Sequence, residues 1–181
     1  AITNSNIRVF NNVITDIWAD GDAGVSFNPV GIYANQGAGY QIYYNSINLY
    51  GGINYAGASA AATAGIMVNS TAVVNLDIRN NVIQNSQTFV GALGRTYAFY
   101  STGANTTFDD INYNNYYSIG PNAGFNFLGT TAFANLADWR VATAKDSSSK
   151  DVNPQFTDSL NLRPLLGSGV LFAGTPIAGI T

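Results

Sequence analysis

Short apolar runs recur along this chain, each broken by asparagine or glycine and none long enough for helical spacing. The clearest copy is Asp77-Ile78-Arg79-Asn80-Asn81-Val82-Ile83, in which an alternating run, a polar bend and a second apolar pair follow one another. The same arrangement appears in Ile7–Ile14, in Gln41–Ile47 and in Asn112–Tyr117, about 33 to 36 residues apart, within the spacing of solenoid repeats. A second motif keeps step with it: Gly31-Ile32-Tyr33-Ala34, Gly65-Ile66-Met67-Val68, Ala98-Phe99-Tyr100-Ser101, and a shortened copy at Gly124-Phe125-Asn126-Phe127.

Val, Ile, Tyr, Phe and Thr dominate these runs, which is strand composition. Two-residue Asn-Gly hairpin signals are missing, so the strands pair with their equivalents in neighbouring coils rather than with their sequence neighbours. The expected fold is all-β, a right-handed parallel β-helix, forming a single domain over 1–181 that is a fragment of a larger secreted protein. About four coils fill 1–130, with a helix and closing region at 131–181. A coil must bend sharply between strands, and asparagine tolerates the left-handed backbone region. Stacked asparagine amides also satisfy one another along the axis. This predicts a ladder through Asn12, Asn45, Asn81 and Asn115, with Asn11, Asn80 and Asn114 as the adjacent candidates. The Gly- and Ala-rich stretches 18–30 and 51–64 are expected to protrude as loops. One short helix is expected from Ala132 to about Ala144, capped by Thr131, lying outside the column against the barrel or over a coil edge.

Composition narrows the reading. Hydrophobic residues make up 46% and charged residues 9%, far below the roughly 25% charge of ordinary domains, so Asn, Ser, Thr and Gly must wet the surface. Aromatics at 13% argue against disorder. The net charge of -3 comes with no basic patch, which excludes nucleic acid as a partner. The mixed run Lys145–Asp151 reads as a solvated loop. With no Cys and no His, disulfides, thiolate chemistry and the commonest general base are absent. No apolar run approaches the ~20 residues that span a bilayer, so membrane insertion is not expected. Ala1 reads as a processed or trimmed start.

The order Tyr113-Asn114-Asn115-Tyr116-Tyr117-Ser118, Leu136-Ala137-Asp138-Trp139, Lys145-Asp146-Ser147-Ser148-Ser149, Asn153-Pro154-Gln155-Phe156, Leu160-Asn161-Leu162 and Gly167-Ser168-Gly169 resembles the closing region of right-handed parallel β-helix proteins of Bacteroidetes-like bacteria, in the pectate-lyase-like superfamily. The resemblance implies a large secreted or cell-surface protein of bacterial origin, in which the segment like Gly174–Thr181 continues into a further strand. It also brings in polysaccharide lyases and glycoside hydrolases as relatives.

Hydrolysis would need two or three converging carboxylates, and lyase chemistry carboxylates for Ca²⁺ and a basic residue. Asp109 and Asp110 are the weak catalytic candidates, but as strand neighbours they would point to opposite faces. Arg79 and Arg95 are the candidate carboxylate contacts. Asp20 and Asp22 resemble the opening of a calcium loop without its later ligands, so an ordinary polar loop is the stronger reading. Tyr33, Tyr43, Tyr50, Tyr55 and Tyr100 recur in or beside strands; half should face outward, where rings could stack on sugars or protein, and core stacking with cross-strand packing is the stronger reading. The leading expectation is a non-catalytic extracellular scaffold or adhesion module. It would associate with itself by end-to-end or lateral stacking, or continue into a larger parent chain, because it ends without an evident cap. A polysaccharide-cleaving enzyme and a glycan-binding module are the alternatives.

Overall fold

Alternation of apolar and polar residues within each short run lets one side of every strand face a common interior while the other meets solvent. The computed structural model describes residues 5–23, 28–56 and 61–180. The first coil contains β1 (Arg8–Phe10), β2 (Val13–Thr15) and β3 (Val30–Ala34). The second contains β4 (Gln41–Tyr43), β5 (Ser46–Leu49), β6 (Gly52–Ile53) and β7 (Ala62–Val68). The third contains β8 (Leu76–Arg79), β9 (Val82–Asn85), β10 (Thr88–Phe89) and β11 (Arg95–Ser101). The fourth contains β12 (Phe108–Asn112), β13 (Asn115–Ser118) and β14 (Ala123–Leu128), followed by β15 (Thr131–Phe133) and α1 (Leu136–Thr143).

Equivalent strands stack in parallel. Sheet one runs β1-β4-β8-β12, sheet two β2-β5-β9-β13 and sheet three β3-β7-β11-β14, with β6 and β10 as a minor pair. Four passes separated by three returns make a solenoid of about three turns. The inward columns are uniform: Val9, Ile42, Ile78 and Ile111 in sheet one, and Ile14, Ile47, Ile83 and Tyr116 in sheet two. Stacking like on like keeps the cross-section constant and leaves little void to destabilise the interior. Gly65 is needed inside this column, since a Cβ there would lie 2.2 Å from Ile83 Cγ2.

The turn between sheets one and two is built from asparagine amides. Asn12 donates its backbone N–H and its Nδ2 to Asn45 Oδ1 at 3.1 and 2.9 Å. Asn45 does the same to Asn81 at 3.1 and 2.9 Å, and Asn81 to Asn114 at 3.0 and 3.0 Å. Each Nδ2 also reaches the carbonyl of the preceding coil's inward strand residue: Val9 for Asn45, Ile42 for Asn81 and Ile78 for Asn114. The fourth rung is therefore Asn114, not the expected Asn115. The left-handed backbone belongs to the residue before the ladder, with φ of 55° at Asn11, 53° at Tyr44, 61° at Asn80 and 57° at Tyr113. Tyr113 fills that place in the last coil, which sets the rung at Asn114, one residue before the expected one. Asn115 instead clamps the chain beyond the coils, its amide pairing with Val152 N–H and C=O at 3.1 and 2.9 Å.

A second register shift affects the shortened repeat. Phe99 pairs with Asn126 rather than Phe125, because the pairing slips past Tyr97 and Phe125 takes φ 59°.

The two ends of the column differ. At the far end β15 pairs antiparallel with β14 through a Gly129-Thr130 hairpin, Lys150 bridges to Asn115 beside β13, and Asp146 N–H bonds Ile111 C=O of β12 at 3.0 Å. Each terminal strand is thus covered by a different segment, correcting the expectation of an uncapped end. Thr131 lies in β15, and the helix begins later, capped by Asn135, whose Oδ1 accepts Asp138 N–H at 2.9 Å. The helix takes the end position of the two anticipated, placing fully buried Trp139 against Phe99, Tyr116 and Phe133. At the near end β1, β2 and β3 each have a partner strand on one side only among the described residues.

The ladder makes a graded prediction. Asn81→Ala removes the acceptor of the buried Asn45 N–H and the Nδ2 bonds to Asn114 and Ile42 and should cost about 2–4 kcal/mol, whereas Asn12→Ala at the exposed start should cost under about 1 kcal/mol. Urea unfolding of both variants measures this, and equal losses would refute a ladder whose strength comes from burial.

Candidate functional site

The strongest polar cluster lies where the ladder stops. Asn114 N–H donates to Ser149 Oγ at 2.9 Å, so Ser149 occupies the next rung, and its hydroxyl donates in turn to Asp146 Oδ1. Asp146 also accepts from Trp139 Nε1 at 2.6 Å and from Tyr116 OH at 3.1 and 3.2 Å. Arg140 holds the loop from behind through the carbonyls of Asp146 and Ser149 at 2.8 and 2.5 Å. Asp146 and Ser149 are buried, so the run Lys145–Asp151 is not simply a solvated loop. Desolvation outweighs the side-chain donors Ser149, Trp139, Tyr116 and Asn114 and raises the Asp146 pKa to about 6. Burial and the neighbouring carboxylate likewise push the Tyr116 phenol well up. The cluster is enclosed, and its chemistry is that of a terminal cap.

A second cluster lies on the outer face of sheet one. Register stacks Arg8, Gln41, Asp77 and Asp110 in one column and Phe10, Tyr43, Arg79 and Asn112 in the next. Arg79 makes two bonds of 2.6 Å to Asp77, stands 3.5 Å from Asp110 and lies over the Tyr43 ring, 5.4 Å from its centroid. Tyr43 OH donates to the same Asp77 at 2.5 Å. Burial and Asp77 push the Tyr43 phenol up to about 12, and the bonds to Asp77 hold Arg79 firmly charged. Both Asp77 oxygens are therefore engaged, leaving neither as a ready base. A bulge in β12 breaks the expected alternation: Phe108 and Ile111 are buried, and Asp109 and Asp110 between them are exposed and half-buried rather than on opposite faces. Arg95 is far along the chain at the start of β11, donating to the carbonyls of Ala92 and Gly94, in a different sheet from Arg79.

The five tyrosines do not form one platform. Tyr33 is 44% exposed, whereas Tyr43 and Tyr100 are buried, the latter stacked on Phe127 with ring centroids 4.5 Å apart. Tyr55 packs on Ile53, Ala61 and Phe89. Tyr50 is partly exposed, donates to Asp16 Oδ1 at 2.8 Å and meets Trp18 edge-on at 5.6 Å. Asp20 is exposed, and Asp22 Oδ1 accepts Ala23 N–H at 2.6 Å, while Asn28 pairs with Asp22 backbone N–H and C=O, both at 3.1 Å. Gly24 of the loop-like motif lies outside the described residues. Among the described residues no three His, Cys, Asp or Glu side chains converge as metal ligands would.

Sequence reasoning missed Asp77, Asp146, Ser149 and Trp18. The signal for Asp77 was present, since Asp77 and Arg79 flank the inward Ile78 at outward positions of one strand. Nothing local distinguishes Asp146 from the other polar residues around it.

Titration of the cap gives a signed prediction. Because Asp146 has a higher pKa folded than its ordinary 3.8, its contribution is full below about 3.8 and lost as pH rises through about 6. The urea midpoint should fall across that window, by up to about 3 kcal/mol in stability. Asp146→Asn should flatten this slope; an unchanged slope in that variant would place the titration elsewhere. No family model, no curated protein and no solved structure matches this chain.

Proposed function

We propose that this chain is a non-catalytic structural module of a secreted or cell-surface protein, a rigid column that associates through its one open end. The observation that carries the reading is the difference between the ends. The far end is closed strand by strand, by β15, by Lys150 and by the Asp146 loop. Among the described residues the near end leaves one edge each of β1, β2 and β3 without a partner strand, with Ile7, Phe10 and Val13 exposed by 45%, 39% and 64%. Free strand edges pair readily unless charge or proline guards them, and Arg8 is the only charged residue within these three strands.

The ladder states what fits there. Every later Oδ1 receives an N–H and an Nδ2 from the coil before it, and Asn12 Oδ1 is the acceptor still without such a pair among the described residues. A further coil of the same kind meets that need within a longer protein; for the chain alone the partner is a second copy whose strand edges pair with these near end to near end, leaving the exposed Asn12 Oδ1 to water. One open end gives pairs, and the scaffold reading joins this to the resemblance with bacterial surface β-helices.

Sedimentation across a concentration series tests the reading. The expected result is a monomer–dimer equilibrium without longer species, abolished by Val13→Lys, which adds an edge charge at an exposed site. A strict monomer at millimolar concentration, or an equilibrium indifferent to that substitution, would count against it.

A further inference from the structure

After the cap the chain turns back along the outside of the column. Ser159 C=O accepts Thr15 Oγ1 at 2.6 Å and Asn48 Nδ2 at 3.1 Å, fastening the returning segment to the outer face of sheet two. Between the two lies a cleft of about 370 Å³, lined by Asn48, Tyr50, Gln84 and Ser86 from the coils and by Asn153, Gln155, Phe156 and Asp158 from the returning segment, among others.

The lining has one chemical character. Gln84 and Gln155 each offer a donor and an acceptor side by side, the pattern that matches neighbouring hydroxyls, while Asn48 has given its Nδ2 to Ser159 C=O and keeps its acceptor, and Asn153 Oδ1 accepts Gln155 N–H and leaves its donor. Asn48 is 2% exposed, and its Oδ1 is buried with no hydrogen-bond partner. A buried acceptor left so costs about 1–3 kcal/mol, and a hydroxyl donor would relieve it. Asp158 is the only charged group in the lining, and two backbone N–H groups, from Asn161 and Leu160, keep its carboxyl low and ionised. With no basic side chain present, a uronate or phosphate would be repelled.

An aromatic wall stands beside this cleft. Tyr50 is fixed by its bond to Asp16, and Trp18 is fixed edge-on to it by a 2.5 Å bond from Nε1 to the same Asp16 oxygen. Trp18 lies against Gly51, where a Cβ would come within 2.4 Å of the indole, and remains 56% exposed. Fixed aromatic faces next to paired amides suit a ring with one apolar face and equatorial hydroxyls.

We propose that this cleft is a binding site for a neutral saccharide, seated on Asn48, Gln84 and Gln155 and bordered by Tyr50 and Trp18. It is independent of the end-to-end association, which uses the strand edges.

Trp18 is an intrinsic reporter, because the chain's other tryptophan, Trp139, is fully buried. Fluorescence titration with neutral disaccharides (cellobiose, mannobiose, galactobiose), with digalacturonate as comparator, should show at least one neutral ligand binding with Kd of about 0.1–10 mM and reduced acrylamide quenching. Gln84→Ala, a half-buried outward position, should weaken that binding roughly tenfold without shifting the unfolding midpoint. Asn48→Leu should abolish it, and its fold is checked by far-ultraviolet dichroism. The proposal is overturned if no neutral disaccharide binds, if digalacturonate binds more tightly than all of them, or if Gln84→Ala leaves affinity unchanged.

Discussion

Everything in this column depends on a one-dimensional stack of asparagine amides buried at a single turn. Each amide donates to the next amide and to a strand carbonyl of the coil before it, and its oxygen accepts the backbone and side-chain N–H of the preceding rung. An amide displaced by one residue would leave all of these groups unpaired in an apolar setting, so the stack fixes the register of both flanking sheets at once. Loop length elsewhere in the coil is then free to vary, as the 33- and 36-residue intervals between successive rungs show. Apolar columns supply most of the favourable burial and already resist a one-residue slip, and the amides add a directional constraint at the turn.

The stack has a direction, and this makes the two ends chemically unequal. Donors point toward the far end, where the last N–H must meet an acceptor that ends the series. Ser149 is that acceptor, and Asp146 takes the proton that the serine must then give away. A buried carboxylate is an expensive terminator, yet three donors converge on it and the indole of Trp139 seals the apolar core beside it. At the near end the group without a partner among the described residues is an acceptor, Asn12 Oδ1, on an exposed residue that water can reach at little cost. A cap is obligatory at one end and optional at the other.

Periodicity was legible from sequence because each coil repeats its inward residues at an almost constant interval. The ladder's first three rungs followed from it, and the fourth did not. Asn114-Asn115 presents two equivalent amides, and choosing between them requires knowing that Tyr113 accepts the left-handed backbone. The same limit hid the bulge at Asp109, since alternation assumes unbroken pairing with the neighbouring coil. The helix start was misplaced because Thr131 and Asn135 both make credible caps, and the hairpin at Gly129 decides between them.

The outer surface was the least legible part, for a physical reason that reaches the candidate sites. Local sequence tells which residues point outward but not what chain returns to lie over them. Ser159 is 144 residues from Thr15, and Thr175 is 95 from Asn80, whose amide binds both its N–H and its C=O. Tyr44, chosen by the coil for its left-handed turn, also anchors the tail through bonds to Thr175 C=O and from Ile177 N–H at 2.7 and 3.1 Å. These contacts bring together residues with no common periodicity, which is why the tyrosines separate into a salt-bridge partner, a core stack and a cleft wall. A charged cluster such as Asp77 and Arg79 satisfies itself within neighbouring strands and so has little capacity left for a ligand. Capacity survives where the returning segment meets the sheet without fully covering it, and that boundary is where Asn48 keeps a buried oxygen without a donor.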